Sequence, residues 1–252
     1  MQSARHPRRG ARAGSGSVGR SGVEWQRSLG FTRMLPRILE TEAMDTEAEA
    51  VDYDSMDHRE VNRIFVSDLL AAGPGEGWIL DLGTGTAQIP IELCRRHARA
   101  KVLAIDMALH MLRLAQKNVA QAGLTERIRV ERVDAKRLPY ADGSFATVAS
   151  NSIVHHIPEP IVVLDEAWRV LAPGGLIFIR DLFRPDDEAT VEHLVETYAA
   201  GASEHQKQML ADSFHAALTV EEVRRIVTPF GVAPETVRAT SDRHWTWAAR
   251  KR

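Results

Sequence analysis

The sequence predicts an α/β fold, with a seven-stranded, mostly parallel sheet, helices on both faces and an antiparallel hairpin at its C-terminal end. From residue 78 onward, short apolar runs alternate with stretches that have apolar residues at helical spacing. This alternation implies crossover connections between parallel strands. The last two apolar runs are separated only by Ser241-Asp242-Arg243, which is the spacing of a hairpin.

Each predicted strand is a short run rich in apolar and β-branched residues. In chain order the predicted strands are 78–82, 101–105, 128–133, 145–150, 176–180, 235–240 and 244–249. Gly174-Gly175 is predicted to turn the chain into the fifth of them.

The predicted helices place apolar residues on one face. Asp57 and Glu60 form a predicted capping box for the first helix, and Gly73-Pro74 ends it. The predicted apolar face of this helix consists of Val61, Ile64, Phe65 and Leu69. The further predicted helices are 89–97, 107–122, 160–171, a stretch in two pieces at 186–217, and 219–230.

The chain divides into three predicted parts. Residues 1–23 contain five arginines, five glycines, four serines and neither an acid nor a lysine, so we expect a disordered basic arm. Its composition is somewhat like that of an organelle transit peptide, and a non-essential extension is the alternative. Residues 24–56 form a predicted N-terminal cap segment, and residues 57–252 form the main domain.

Composition excludes several classes of protein. The 252 residues are 44% apolar with a net charge of -2, but outside the basic arm 27 basic residues face 34 acidic ones. This acidic balance disfavours nucleic-acid binding, which needs clustered Lys and Arg. A single cysteine, Cys94, excludes an internal disulfide framework, and no apolar run approaches the roughly 18 residues of a membrane span. We expect a cytoplasmic protein.

A glycine-rich turn follows the first predicted strand, in the run Asp81-Leu82-Gly83-Thr84-Gly85-Thr86-Ala87. Glycines let the backbone approach a ligand, and the next helix offers free N–H groups. A P-loop would need Gly-Lys-Ser/Thr, and a dinucleotide fingerprint would need a third glycine where Gln88 stands. Asp81, ahead of the glycines, suits a ligand with an amino group.

Carboxylates follow three successive predicted strands, at Asp81, Asp106 and Asp134. The carboxyl ends of parallel strands are where ligands bind in such sheets. Asp106 is placed to accept hydrogen bonds from ribose hydroxyls, and Asp134 to meet an adenine amino group. An adenosine ligand without phosphate, S-adenosylmethionine, fits this pattern.

These motifs resemble class I S-adenosylmethionine-dependent methyltransferases, in the branch typified by ubiquinone/menaquinone-biosynthesis C-methyltransferases. The matching runs are those at 79–87, 104–107, 133–135, 138–145, 151–157 and 166–175. The resemblance implies a Rossmann-like fold. It also implies a set of cofactor-binding residues, namely Asp81, Gly83, Thr84, Gly85, Asp106, Met107, Asp134, Ala135 and Asn151.

The candidate catalytic residues are His155, His156 and Asp181. Methyl transfer is an in-line displacement in which alignment supplies much of the rate, and a neutral histidine can act as general base. Alternatively, one histidine packs and the other orients the loop. Asp181 either orients a substrate or pairs with Arg180 or Arg184.

The resemblance also places a helical substrate lid at 186–217, and it allows Tyr53 either to cover the cofactor or to lie on the surface. The spacing of His193, His205 and His215 is unlike that of metal-binding helices, so we predict no metal site. The predicted function is methylation of a small molecule. A nucleic-acid or protein methyltransferase that uses the basic arm and a non-catalytic cofactor-binding module are the alternatives.

Overall fold

The computed structural model describes residues 34–40, 46–56 and 58–252. The predicted arm at 1–23 and Asp57 of the predicted capping box lie outside these residues. The first helix of the main domain begins at Arg59, after His58.

Seven strands form one sheet in the order β3-β2-β1-β4-β5-β7-β6. The first five are parallel to their neighbours, β7 is antiparallel to β5, and β6 is antiparallel to β7. The predicted sheet and hairpin are therefore confirmed. In chain order, β1 to β7 are Trp78–Leu82, Lys101–Asp106, Ile128–Arg132, Phe145–Asn151, Leu171–Leu182, Val237–Ala239 and His244–Arg250.

The described residues form eight α-helices, which include the two pieces predicted within 186–217. In chain order, α1 to α8 are Glu47–Ser55, Arg59–Ala71, Gln88–Arg96, Leu109–Gln121, Pro160–Val170, Glu188–Tyr198, Glu204–Ala216 and Val220–Val227. A single 3-10 turn, Val154–His156, follows β4 and carries both candidate histidines.

Alternate residues of each strand supply two cores, one on each face of the sheet, because successive side chains point to opposite faces. Ile79 lies in the core that includes residues of α2, α3 and α4, and Leu80 lies in the core that includes α5 and α8. Cys94 is buried in the first of these cores, as predicted. Helices therefore cover both faces.

Two predicted details are wrong. Strand β5 begins at Leu171 and runs through Gly174-Gly175, because Lys251 forms backbone hydrogen bonds with both glycines. On α2 the predicted apolar face included Ile64, but that side chain is 46% exposed and Asn62 is buried in its place.

Within the described residues, no helix has both the length and the apolar character needed to cross a membrane. The cytoplasmic location stays a prediction.

Candidate active site

The glycine-rich turn lies where β1 meets β4, the point at which the strand order changes direction. Ligands bind at this point in open α/β sheets. Gly83 has a φ of +67°, and a Cβ there would lie 1.9 Å from Cγ2 of Ile153. A side chain at position 83 would be strained by the positive φ and would overlap Ile153, so this position requires glycine.

Asp106, at the end of β2, holds the turn in shape. Its Oδ2 accepts a hydrogen bond of 2.8 Å from the backbone N–H of Gly85, and its Oδ1 accepts one of 2.9 Å from Ala108. Ala87, where the family often has a third glycine, adopts a φ of +63° at the start of α3. A non-glycine residue in this conformation costs about 1–2 kcal/mol, so the turn stores strain.

A narrow cavity of about 20 Å³ opens beside the turn, which is room for about one water molecule. Four predicted cofactor residues line it: Asp81, Gly83, Thr84 and Asn151. Five residues outside the predicted set of cofactor-binding residues also line it: Tyr53, Asn62, Thr86, Gln88 and Ile89.

The cavity lining contains polar atoms that none of the described residues satisfies. Oγ1 of Thr86 and Oδ1 of Asn151 are buried without a hydrogen-bond partner in this part of the chain. Buried polar atoms in folded proteins normally have partners, so these two atoms indicate a polar ligand.

The two carboxylates beside the cavity have raised pKa values. Burial, opposed by a hydrogen bond with Thr84 and assisted by the charge of the nearby Asp106, raises the pKa of Asp81 to about 7. Burial also raises the pKa of Asp106, although hydrogen bonds from Ala108 and Gly85 oppose this. None of the described groups that shift the pKa of Asp81 is a cation.

Helix α1 carries Tyr53 onto the cavity. The helix begins with a capping box between Thr46 and Glu49, and the ring of Tyr53 lies over Gly85. Burial and the charges of Asp106 and Asp81 raise the pKa of Tyr53 to about 12, so its hydroxyl stays protonated. Tyr53 is half-buried against the turn, which favours the covering interpretation over the surface one.

A second cluster of ionisable groups lies on the 3-10 turn after β4. Asp181 Oδ1 is 2.5 Å from Nδ1 of His155, and Asp181 Oδ2 accepts the backbone N–H of Val154. Glu40, in the cap segment, lies with its Oε1 3.4 Å from Nε2 of His155 and 3.1 Å from Nδ1 of His156. Sequence reasoning missed Glu40 altogether.

The predicted pairing of Asp181 with Arg180 or Arg184 is wrong. Arg180 donates to Asp68 on α2 at 2.6 Å, and Arg184 donates to Glu222 on α8 at 2.7 Å. Successive strand residues point to opposite faces, so Arg180 and Asp181 cannot face each other.

The charges of this cluster compensate one another. Burial alone would lower the pKa of His155, but the charge and hydrogen bond of Asp181 raise it. Burial would likewise raise the pKa of Asp181, but His155 lowers it. Contact with His156 and the charge of His155 lower the pKa of Glu40 against the effect of burial.

Arg37 holds the cap segment against this cluster. Its guanidinium donates to the backbone carbonyls of Ala216, Pro158, His155 and Ile157, at 2.6 to 3.2 Å. Ser213 of α7 also donates to Glu40. Residues 34–40 are thus tied to both the histidine turn and α7.

The remaining predicted cofactor residues lie apart from the cavity lining. Asp134 accepts a hydrogen bond of 2.9 Å from the backbone N–H of Lys136, which is the cap arrangement of a tight turn. Met107 is 40% exposed. Neither Asp134, Ala135 nor Met107 lines the cavity.

One missed residue had a detectable sequence signal. Asn62 stands in the apolar stripe of α2 together with Phe65, Val66 and Leu69, and a polar residue in such a stripe indicates a buried polar contact. Glu40 had no such signal, because its segment has no regular structure.

Comparison with known proteins identifies the family. A family model described as a methyltransferase domain matches residues 79–175. The chain is 36% identical over 115 residues to the ubiquinone/menaquinone biosynthesis C-methyltransferase UbiE of Desulfotalea psychrophila, covering 46% of this chain and 45% of that protein. The chain belongs to the class I S-adenosylmethionine-dependent methyltransferases.

A longer match extends beyond the residues that the family model covers. It is 34% identical over 185 residues to a malonyl-acyl-carrier-protein O-methyltransferase of Geobacter sulfurreducens, covering 72% of this chain and 66% of that protein. The first three curated relatives are matched over only 44–46% of their own lengths.

Solved structures show the same fold. A SAM-dependent methyltransferase from Aquifex aeolicus superposes with a TM-score of 0.62 at 18% identity, covering 82% of this chain and 98% of that one. The 4+2 cyclase SpnF superposes with a TM-score of 0.53 at 20% identity, covering 78% of this chain and 85% of that one. Because a cyclase shares it, the fold alone does not specify the reaction.

Proposed function

We propose that this methyltransferase binds S-adenosylmethionine at the cavity beside the glycine turn and transfers its methyl group to a small-molecule acceptor. The observation that carries the proposal is Asp81. It is a buried carboxylate on the cavity wall with a pKa of about 7 and no cation among the described groups that shift it. A ligand with an ammonium group supplies the missing positive charge.

The residues present fit this cofactor. The unpartnered oxygens of Thr86 and Asn151 offer hydrogen-bond partners, and Gly83 and Gly85 keep side chains out of the ligand's way. The bound cofactor supplies a methyl group already activated on a sulfonium. Asp81 holds the amino end, and Asp106, at the next strand end, holds the ribose.

The adenine end of the proposed site extends past β2 and β3. Met107 follows β2 directly, and Asp134 and Ala135 lie two and three residues after the end of β3. Met107 is exposed and the other two are half-buried, so a ligand that reaches beyond the narrow cavity can contact them. Their roles rest on the family resemblance and on this placement at strand ends.

The proposed catalytic contribution of the chain is alignment together with exclusion of water. Tyr53 covers the turn, and α6 and α7 form the proposed substrate lid around Leu194 and Phe214. Either His155 or His156 remains the proposed general base, with Asp181 as a positioning residue for His155. Both ring nitrogens of His155 face carboxylates, so His156 is the better placed of the two to exchange a proton with an acceptor.

Two observations support a small-molecule acceptor. The relatives are named as methyltransferases of demethylmenaquinone, of malonyl-acyl-carrier protein and of arsenite. The acidic balance outside the basic arm opposes binding to nucleic-acid phosphates.

The first experiment measures binding by calorimetry with S-adenosylmethionine, S-adenosylhomocysteine and NAD. We expect binding of the first two, and an affinity loss of about 10–100-fold in Asp81→Asn, because a charge-assisted contact contributes about 1.5–3 kcal/mol. Asp142→Asn, an exposed acid paired with Arg169, is the control and should bind as the wild type does. Tighter binding of NAD would overturn the proposal.

The second experiment follows S-adenosylhomocysteine release with pooled acceptors that carry hydroxyl, carboxyl, thiol or quinol groups. Turnover of one pool identifies the acceptor chemistry. Cofactor binding without turnover in any pool would favour the non-catalytic module, and turnover only with RNA or protein would favour the macromolecular alternative.

A further inference from the structure

Three potential metal-ligating atoms converge beside the 3-10 turn: Oε1 of Glu40, Nε2 of His155 and Nδ1 of His156. All three lie within 4.8 Å of one another. The side chains are 17%, 4% and 19% exposed, so the cluster is largely screened from solvent but reachable from it.

The hydrogen bond of His155 to Asp181 decides which of its nitrogens is free. Nδ1 faces Asp181 Oδ1 at 2.5 Å, so the proton on this nitrogen is held by a buried carboxylate. When a metal ion displaces the proton on Nε2, the lone pair of that nitrogen points toward Glu40. A carboxylate that orients a histidine through its second nitrogen is the usual outer contact of a metal-ligating histidine.

His156 completes the set. Its Nδ1 is buried and lies 3.1 Å from the same Glu40 oxygen, but it is not aligned for a hydrogen bond. A buried nitrogen that makes no hydrogen bond to the neighbouring carboxylate oxygen destabilises the protein, unless a cation lies between the two atoms.

The distances suit a small divalent ion. In a tetrahedral site with ligand bonds of about 2.0–2.1 Å, neighbouring ligand atoms are roughly 3.3 Å apart. The two measured separations from Glu40 Oε1 are 3.4 Å and 3.1 Å.

We propose that Glu40, His155 and His156 form a binding site for a first-row divalent transition-metal ion, with Zn²⁺ as the best match. Two imidazoles and one carboxylate are a ligand set that Zn²⁺ uses where a fourth position stays open for water or substrate. The open position suits an anionic oxygen or a thiolate. Metal binding stands whether or not the chain transfers methyl groups.

The site is built on restrained elements. The histidines follow β4, Asp181 lies within β5, and Arg37 ties the segment of Glu40 to backbone carbonyls of the histidine turn. Such restraint keeps the cost of assembling a metal site low. A metal-bound histidine cannot accept a proton, so an occupied site excludes the general-base role and supplies a Lewis acid instead.

The test is titration of tag-free, chelator-treated full-length protein with Zn²⁺ by calorimetry and with Co²⁺ by visible absorption. We expect one equivalent of each ion to bind, and Co²⁺ to give the intense bands of a four- or five-coordinate complex. Glu40→Gln and His156→Ala should each weaken binding by more than about tenfold. Both replace partly exposed side chains, so circular dichroism should show an intact fold.

The matched control is Glu188→Gln. Glu188 pairs with His215 at 3.0 Å in an exposed pair that has no second imidazole. This variant should bind both ions as the wild type does. Equal Zn²⁺ affinity in wild type, Glu40→Gln and His156→Ala, or no binding by the wild type, would overturn the proposal and leave the cluster as a protonated ion-pair network.

Discussion

Two groups of carboxylates at the same edge of the sheet have opposite electrostatics. Asp81 and Asp106, at the ends of β1 and β2, have pKa values raised by burial. Asp181 and Glu40, beside β4 and β5, have lowered pKa values because histidines face them. We call these the turn acids and the histidine-paired acids. Among the described groups no cation lowers the pKa of Asp81, and backbone hydrogen bonds do more than the charge of His156 to lower that of Asp106, whereas Asp181 and Glu40 directly face histidines.

The difference shows how burial alone does not identify a binding acid. Asp181 is 1% exposed and Asp81 is 4% exposed, yet only Asp81 lacks a compensating cation among the described groups that shift its pKa. An uncompensated acid destabilises the free protein and becomes favourable only when a cationic ligand binds. The charge of the turn acids therefore favours ligand binding but destabilises the free protein. The charge of the histidine-paired acids stabilises the free protein.

The largest effect is expected for Asp181→Ala. Removing the carboxylate leaves His155 and the backbone N–H groups of Val154 and Leu182 buried without their acceptor. Breaking a buried pair in this way costs about 3–5 kcal/mol. Urea unfolding at pH 7 measures this loss in the free energy of unfolding.

Asp181→Asn keeps one acceptor oxygen for the backbone and should lose less stability than the alanine variant. The exposed Asp142→Ala is the control. A loss below about 1 kcal/mol in Asp181→Ala would mean that the histidine-paired acids are not stabilising.

Gly83→Ala should lower the free energy of unfolding by about 2–4 kcal/mol, somewhat less than Asp181→Ala does. The new Cβ would lie 1.9 Å from Cγ2 of Ile153, and the backbone conformation at this position is strained for alanine. Ile153 precedes the histidine turn, so this contact joins the two regions. The double variant Gly83→Ala/Ile153→Ala should lose less stability than the sum of the single changes. Strict additivity in a double-mutant cycle would contradict the contact.

A stability gain is expected for Asp81→Asn in the cofactor-free protein at pH 8. The folded-state pKa of Asp81, about 7, lies above its ordinary value of 3.8. Its contribution to stability is therefore present below about pH 4 and is lost as the pH rises through 7. We expect Asp81→Asn to raise the free energy of unfolding by about 1–3 kcal/mol at pH 8, as measured by urea unfolding.

The gain should shrink as the pH falls from 7 and approach zero below the ordinary pKa of 3.8, where the wild-type carboxyl becomes protonated in both states. Asp142→Asn, an exposed acid, should show no such pH dependence. A stability loss in Asp81→Asn at pH 8 would show that a cation compensates Asp81 after all.

The smallest effect concerns Tyr53, which covers the turn acids. Tyr53→Ala enlarges the 20 Å³ cavity, so S-adenosylmethionine should associate several-fold faster in stopped-flow measurements. Val51→Ala, on the exposed face of the same helix, should leave the rate unchanged. An unchanged rate in Tyr53→Ala would mean that α1 does not gate the site.

Much of the fold and of the cofactor turn was predictable from local pattern. Strand β1 was predicted with its observed bounds, because the mostly apolar run Trp78–Leu82 ends directly before Gly83. Asp81 was placed beside the glycine turn because parallel strands bring their carboxyl ends to one edge of the sheet, which needs only the periodicity of each segment and the direction of its strand. Thr84 and Asn151, which line the same cavity, were assigned to the site only through the family resemblance.

Only the tertiary structure decided what the candidate histidines face. Glu40 lies in an irregular segment with no periodicity, and long-range hydrogen bonds of Arg37 bring it to His155 and His156. The pairing of Asp181 with His155 rather than with Arg180 depends on how the histidine turn folds back over β5. Sequence pattern therefore determines elements and strand ends, because these arise from neighbouring residues. Ion pairs, pKa shifts and metal-ligand sets arise where distant segments pack, so packing alone determines them.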